Sequence, residues 1–461
     1  MASAQPEGQA DNTDIITEWG KKITPESVKT VFEYPRPQMV RSSFTNLNGL
    51  WEFKAVEAGT STNGAFGKTL NETILVPFPV ESCLSGLRDV NDTNGVPPTY
   101  QHMWYRTTVS QDQIQGVAGG RTLLHFGAVD WQTDVYVNGL WVGSNTGGYN
   151  AFSFDITEVC LPLSHSLCLY LCLSVSVSLS LSYCLCLGAE WWRRRRGSVR
   201  RRVRPLEHGP TAIWQAVHQS LPHCLCLTVS VCLCLTVSVS LSPGKQRISA
   251  RYNPGGDTYT PNSGIWQTVW MESVPDTYIE GLKINADMKQ LTITVNTNVP
   301  DGSAVTVQVK DGAAVVATSA SCKANLPCVV AVPSPKLWSP ESPFLYNMTV
   351  TAGADSVDGY FGMREVKLGK DAGGATRPMI NGKFRFLAGF LDQSWWPDGQ
   401  YLAPGDEALA SDVVVLKTWG MNMIRLHQKV NPERWYYHAD KIGVAIFQDM
   451  VQKYGTIKKE R

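Results

Sequence analysis

Near the end of the chain, Asp392, Arg425, His427 and Asp449, with Gln448 beside the last, lie within or just after short apolar runs: Phe384–Phe390, Met423–Leu426 and Val444–Phe447. Carboxylates accept protons or hydrogen bonds, a guanidinium donates a rigid fork, and an imidazole does either near neutral pH. Gathered in one place, such groups could bind a polar ligand. A plainer arrangement is also open: Asp392 on a surface loop, and Arg425 with Asp449 as an interior ion pair. No P-loop, dinucleotide fingerprint, zinc spacing or serine elbow occurs in the sequence, so neither a cofactor nor a metal is expected.

The elements that must position these side chains are legible around them. Phe384–Phe390 reads as a strand. Asp406 can cap a helix whose Leu409, Val413 and Leu416 fall on one face, with Gly420 past its end. Met423–Leu426 is a second strand, and Asn431 with Pro432 opens a second helix through Trp435, Ala439 and Ile442. Gly443 ends that helix, and Val444–Phe447 is a third strand. This βαβαβ order opens a parallel (β/α)8 TIM barrel, whose active-site residues sit at the C-terminal strand ends. Glu407 and Glu433 stand at helix starts, away from those ends.

Upstream the period is two rather than 3.6. Leu124 and Phe126, then Val135 and Val137, alternate with polar neighbours, and Asn138-Gly139 turns the chain back into Leu140-Trp141-Val142. A β-sandwich is predicted over 41–275, after an N-terminal arm at 1–40. Leu291, Ile293 and Val295, then Val305, Val307 and Val309, predict a second sandwich of seven strands over 276–366. The barrel segment is predicted to begin at 367.

Several motifs occur in a fixed order: Leu47-Asn48-Gly49-Leu50-Trp51, Val76-Pro77-Phe78-Pro79-Val80-Glu81-Ser82, Trp104-Tyr105-Arg106, Val135-Tyr136-Val137-Asn138-Gly139, Gly147-Gly148-Tyr149, Phe154-Asp155-Ile156-Thr157, and Ser263-Gly264-Ile265-Trp266-Gln267-Thr268-Val269-Trp270. They resemble the sugar-binding jelly roll of glycoside hydrolase family two, the β-galactosidase, β-glucuronidase and β-mannosidase group. Leu337–Pro343 and Phe361–Arg364 resemble that family's immunoglobulin-like domain, and Leu391–Gly399 its first barrel loop.

The resemblance implies a mainly β chain: jelly roll, immunoglobulin-like sandwich, then an incomplete TIM barrel. It implies retaining exo-hydrolysis of a β-linked sugar, with supporting substrate roles for Asp392 and Arg425 and weaker ones for His427 and Asp449. It also implies that both catalytic glutamates, on later barrel strands, lie beyond Arg461, so this polypeptide is expected to be inactive. A non-catalytic carbohydrate-binding module and a membrane-tethered fragment are the alternatives.

Residues 159–242 depart from this pattern. Leu161–Leu187 and Leu221–Leu241 use little besides Leu, Ser, Val, Cys and Thr, and hold most of the nine cysteines that lie between Cys160 and Cys234, out of twelve in the chain. A CTGT or CT repeat translates into this alphabet, which points to a retained intron or an erroneous gene prediction, not folded with the sandwich. Leu167–Leu187, followed by Trp191, Trp192 and four arginines, also mimics a membrane segment. A membrane hairpin there would interrupt two neighbouring strands, Phe154–Thr157 and Lys245–Tyr252. A third possibility is a set of extra surface strands, which would expose edges prone to aggregation.

The net charge of +1 provides no global field for nucleic acid, so a carbohydrate is the expected partner and a membrane is not. The N-terminal residues carry no secretory signal, which favours the cytoplasm. Cys322 and Cys328 could close a small disulfide or remain buried thiols. Oligomeric state is not encoded legibly.

Overall fold

The computed structural model describes residues 15–57, 69–87, 100–110, 113–114, 120–160, 233–240 and 262–451. Its first domain contains β1 (Thr45–Asn46), β2 (Gly49–Glu57), β3 (Glu72–Val76), β4 (Tyr100–Val109), β5 (Arg121–Phe126), β6 (Val129–Asp130), β7 (Gln132–Val137), β8 (Leu140–Thr146) and β9 (Phe152–Asp155). The helical turn α1 (Thr157–Cys160) follows, then β10 (Leu233–Ser240), β11 (Gly264–Ile265) and β12 (Val269–Val274). A four-stranded sheet, β1-β12-β5-β9, packs on a six-stranded sheet, β3-β2-β4-β10-β7-β8, while β11 pairs with β6.

Alternation explains the core. In β7, Thr133, Val135 and Val137 point inward and are buried, joining Trp51, Phe53, Tyr105 and Phe126. Each large apolar side chain moved out of water contributes roughly 1.5–3 kcal/mol. At the β7–β8 hairpin, Asn138 and Gly139 both adopt positive φ (52° and 78°), as a two-residue turn requires.

The biased segment needs a correction. Its Leu233–Ser240 stretch is not separate from the sandwich: it is β10, antiparallel to both β4 and β7, with Leu235 and Val237 fully buried. A Leu/Val–Ser/Thr alphabet has the two-residue period of a pleated strand, so its composition does not prevent it from filling a slot between two strands. Leu161–Leu187 and Lys245–Tyr252 lie outside the described residues. Among the described residues, no helix is long and apolar enough to cross a membrane.

The second sandwich has seven strands. One sheet is β13 (Ile279–Ala286), β14 (Gln290–Thr297) and β17 (Pro327–Ala331); the other runs in the order β16 (Ala314–Lys323), β15 (Ala304–Asp311), β18 (Tyr346–Ala352) and β19 (Asp355–Phe361). Leu291, Ile293, Val295, Val305, Val307 and Val309 are all buried between them. Cys322 and Cys328 form a disulfide, with Cα atoms 5.2 Å apart.

A buried ionic hub joins the two sandwiches. Glu272 on β12 accepts from Arg36 (2.6 and 2.7 Å), Arg41 (2.9 Å), the Trp270 indole (3.0 Å) and the Tyr34 hydroxyl. Arg41 also donates to Asp355 of β19 at 2.6 Å and to the Ile279 carbonyl at 2.8 Å. Burial alone would raise the Glu272 pKa; His125, Arg36 and Arg41 outweigh it and hold the carboxylate far below its usual range.

A small antiparallel sheet, β20 (Val366–Lys370), β21 (Thr376–Ile380) and β22 (Lys383–Phe384), leads into three parallel strands: β23 (Gly389–Asp392), β24 (Met423–Leu426) and β25 (Ala445–Gln448). Helices α2 (Asp406–Thr418) and α3 (Glu433–Ile442) cross between them. The first barrel strand is therefore shorter than the run Phe384–Phe390. Phe384 pairs with Met379 in the hairpin, and Asn422 holds the connection by bonding Ala388 N and Phe386 O.

Both helix starts also differ from expectation. Asp406 is the first helical residue rather than the cap, because its carboxylate is drawn to Arg434 (2.7 Å) and His438 (3.0 Å). Pro432 occupies the cap of α3, and Asn431 instead donates to Ser394 Oγ at 2.7 Å. The apolar faces conform: Leu409, Val413, Leu416, Trp435 and Ala439 are buried together.

Candidate functional site

The parallel register aligns Asp392, Leu426 and Gln448 as partners at the C-terminal strand ends. His427 N donates to the Asp392 carbonyl (2.8 Å), and Asp449 N to the Leu426 carbonyl (3.1 Å), so the four residues expected from sequence occupy one rim. On β24, Ile424 and Leu426 are buried against the helices, which sends Arg425 to the opposite face.

Each rim side chain is already oriented. Arg425 forms a two-bond fork with Asp449 (Nε–Oδ1 3.0 Å, Nη2–Oδ2 2.8 Å), which raises the guanidinium pKa further. The ion pair left open by the sequence is thus present, on a half-exposed arginine. Asp392 is the last residue of β23 rather than part of a surface loop, and accepts from the Ser394 amide and from Ser394 Oγ (3.0 Å). His427 Nδ1 lies 3.3 Å from Gln393 Oε1.

Sequence reasoning missed the residues that hold the loop after β23. Lys429 is 1% exposed, and its ammonium donates to the carbonyls of Ser394 (2.7 Å) and Tyr401 (2.6 Å) while facing the rings of Trp266 and Tyr401 at 5.6 and 5.3 Å. A buried lysine needs such acceptors to offset lost hydration. Gln448 Nε2 donates to the Lys429 carbonyl at 2.7 Å. The only sequence signal was the position of Lys429, two residues past His427.

The jelly roll and the N-terminal arm brace the same loop. Tyr149 and Tyr401 hydroxyls meet at 2.8 Å, Asn262 Oδ1 accepts from Tyr401 N at 3.2 Å, and Ser82 Oγ donates to the Asp398 carbonyl at 2.6 Å. Thr17 donates twice to Asp398 Oδ2 (2.9 and 2.6 Å). A Cβ on Gly20 would lie 2.1 Å from that oxygen, so only glycine lets the arm approach.

Two carboxyls are buried beneath this brace. Glu81 accepts from Ser263 N at 2.8 Å through Oε2 while Oε1 has no partner, and neither oxygen of Asp130 has one. Burial pushes Glu81 up to about 8 and Asp130 up to about 7. The buried Tyr105 hydroxyl beside Glu81 is likewise raised by burial. Among the described residues, no group of three or more His, Cys, Asp or Glu side chains could hold a metal ion.

Comparisons with known proteins follow this architecture. Residues 44–164 match "Glycosyl hydrolases family 2, sugar binding domain", and residues 274–364 match "Glycosyl hydrolases family 2". A β-galactosidase of Thermoanaerobacter pseudethanolicus is 22% identical over 365 residues, covering 75% of this chain and 39% of that protein. A β-galactosidase of Lactococcus lactis subsp. lactis is 25% identical over 208 residues, covering 43% of this chain and 20% of that protein. Among solved structures, a Faecalibacterium prausnitzii β-glucuronidase matches with TM-score 0.59 at 18% identity, over 90% of this chain and 60% of that one. A Ruminococcus gnavus β-glucuronidase in complex with D-glucuronic acid matches with TM-score 0.61 at 16% identity, over 91% of this chain and 61% of that one. The chain thus spans 20–39% of these β-galactosidases and 60–61% of these solved chains, and the structural likeness establishes the fold.

Proposed function

This chain belongs to glycoside hydrolase family 2, and on that premise we propose that it is the sugar-holding portion of a retaining exo-glycosidase acting on β-linked sugars. What supports this is the convergence of Asp392, Arg425, His427 and Asp449 on the C-terminal rim of three parallel strands, where barrels do their chemistry. In the proposal these four side chains contact substrate hydroxyls, Lys429 fixes the first loop, and the jelly roll supports that loop from outside.

Retaining hydrolysis needs an acid/base carboxyl and a nucleophilic carboxylate about 5–5.5 Å apart. The rim carboxylates are committed elsewhere: Asp449 to Arg425, and Asp392 to Ser394. The proposal therefore gives them binding roles and assigns bond breaking to none of the described side chains. That same commitment favours a second reading, non-catalytic carbohydrate binding.

The test uses the purified 461-residue polypeptide with aryl β-galactosides and β-glucuronides. No release above a heat-inactivated control is expected; turnover would overturn the assignment. Calorimetry with the corresponding free sugars should register heat that Arg425→Ala and Asp392→Asn diminish. Unchanged binding in both variants would remove the rim from the proposal.

A further inference from the structure

Two asparagines far from the rim carry the acceptor pattern for an N-linked glycan. Asn71-Glu72-Thr73 and Asn347-Met348-Thr349 both read Asn-x-Thr with no proline between. A third, Asn91-Asp92-Thr93, lies outside the described residues. Three-residue patterns recur by chance, so the surroundings of each asparagine decide. Asn71 is exposed immediately before β3, which is an edge strand among the described strands of its sheet. Glu72 and Thr73 are exposed as well, and burial begins only at Ile74.

Asn347 lies within β18, where the pleat alternates: Tyr346 and Met348 are buried, and Asn347 between them is exposed. Its polar neighbours are bonded to Thr349 instead. Lys310 Nζ, on the residue opposite Asn347, donates to Thr349 Oγ1 at 2.7 Å, and that hydroxyl donates to Asp358 at 2.5 Å. An independent observation concerns the compartment. Cys322 and Cys328 are joined in the same sandwich. Disulfides form and persist in the lumen of the secretory pathway and outside the cell, and are rare in the cytosol. The cytoplasmic expectation came from the first residues alone, and the disulfide opposes it.

We propose that this chain passes through a secretory compartment and is N-glycosylated at Asn71 and Asn347. The donor is an oligosaccharide carried on a lipid diphosphate, transferred by a cellular enzyme. Asn Nδ2 forms a bond to the anomeric carbon, the bond from that carbon to the diphosphate oxygen breaks, the lipid diphosphate leaves, and one amide proton passes to solvent. The attached glycan is bulky and solubilising, and both positions hold it on the surface. At Asn71 it covers the open edge of β3, whose unpaired backbone groups are a template for pairing with another chain. At Asn347 it stands on the outward face of the second sandwich.

The experiment isolates the native protein from its source, digests it, and treats the peptides with peptide:N-glycosidase in heavy-oxygen water before mass spectrometry. The enzyme converts a glycosylated asparagine to aspartate and leaves the label on it. Labelled aspartate at both Asn71 and Asn347 is expected. Unmodified asparagine at both positions would overturn the proposal, and a label at one alone would overturn it for the other. In a secretory host, Asn71→Gln and Asn347→Gln should each remove a single glycan step on a gel. Asn71→Gln should also raise light scattering by the purified protein. Thr73→Ala keeps Asn71 but destroys the acceptor pattern, so it should reproduce both effects. Scattering that rises in Asn71→Gln but not in Thr73→Ala would assign it to the side chain and overturn the role of the glycan at the β3 edge.

Discussion

Glu81 and Asp130 make stability depend on pH in a direction opposite to most carboxylates. Glu81 is 4% exposed and Asp130 2%, and three of their four oxygens have no partner. Folding therefore raises both pKa values, from 4.5 to about 8 and from 3.8 to about 7. The folded state holds more protons than the unfolded one across that window, so stability falls as pH rises. It is fully present below about pH 4, declines by roughly 1.4 kcal/mol per pH unit per group, and levels off above about pH 8. Glu81→Gln and Asp130→Asn keep the shape and remove the titration. The variants should lose little at pH 5 and exceed the wild type by several kcal/mol, as an order of magnitude, at about pH 8. Because a three-domain chain need not unfold in one step, the measurement is hydrogen exchange at the buried amides of β7, over a pH series corrected for intrinsic exchange. Parallel pH profiles for wild type and both variants would show that these carboxyls are satisfied in solution and that the argument from their burial is wrong.

The Glu272 hub makes a different prediction. Glu272→Ala leaves Arg36 and Arg41 without their shared carboxylate and should cost about 3–5 kcal/mol, read from hydrogen exchange at the β12 amides, as breaking a buried pair does. Glu272→Gln should recover only part. Lys429→Met leaves the Ser394 and Tyr401 carbonyls without their donor, at about 1–3 kcal/mol each if no water replaces it. Limited proteolysis should then cut first within 392–401. A shortened polypeptide lacking 161–241 loses β10, which pairs with both β4 and β7, and is expected to melt below the full chain. Circular dichroism and melting that match the full chain would show that β10 is dispensable.

Local pattern was enough for much of the fold. The two-residue period of Val135 and Val137, the Asn138-Gly139 turn and the helical spacing of Leu409, Val413 and Leu416 each depend on near neighbours, and each stands in the structure. Parallel strand ends likewise placed Asp392, Arg425, His427 and Asp449 at one rim, since chain direction alone decides which ends share a side.

Tertiary structure decided what those side chains touch. Asn431 and Asp406 look like helix caps in sequence, but partners 37 and 28 residues away, Ser394 and Arg434, compete for their side chains. Lys429 has no local pattern that marks it, and only the folded chain encloses it with Ser394, Tyr401 and Trp266. Composition set Leu233–Ser240 apart, although its period fits the gap between β4 and β7. Hydrophobic periodicity is written one residue after another. Hydrogen-bond satisfaction is settled by whichever donor or acceptor the folded chain brings within about 3 Å.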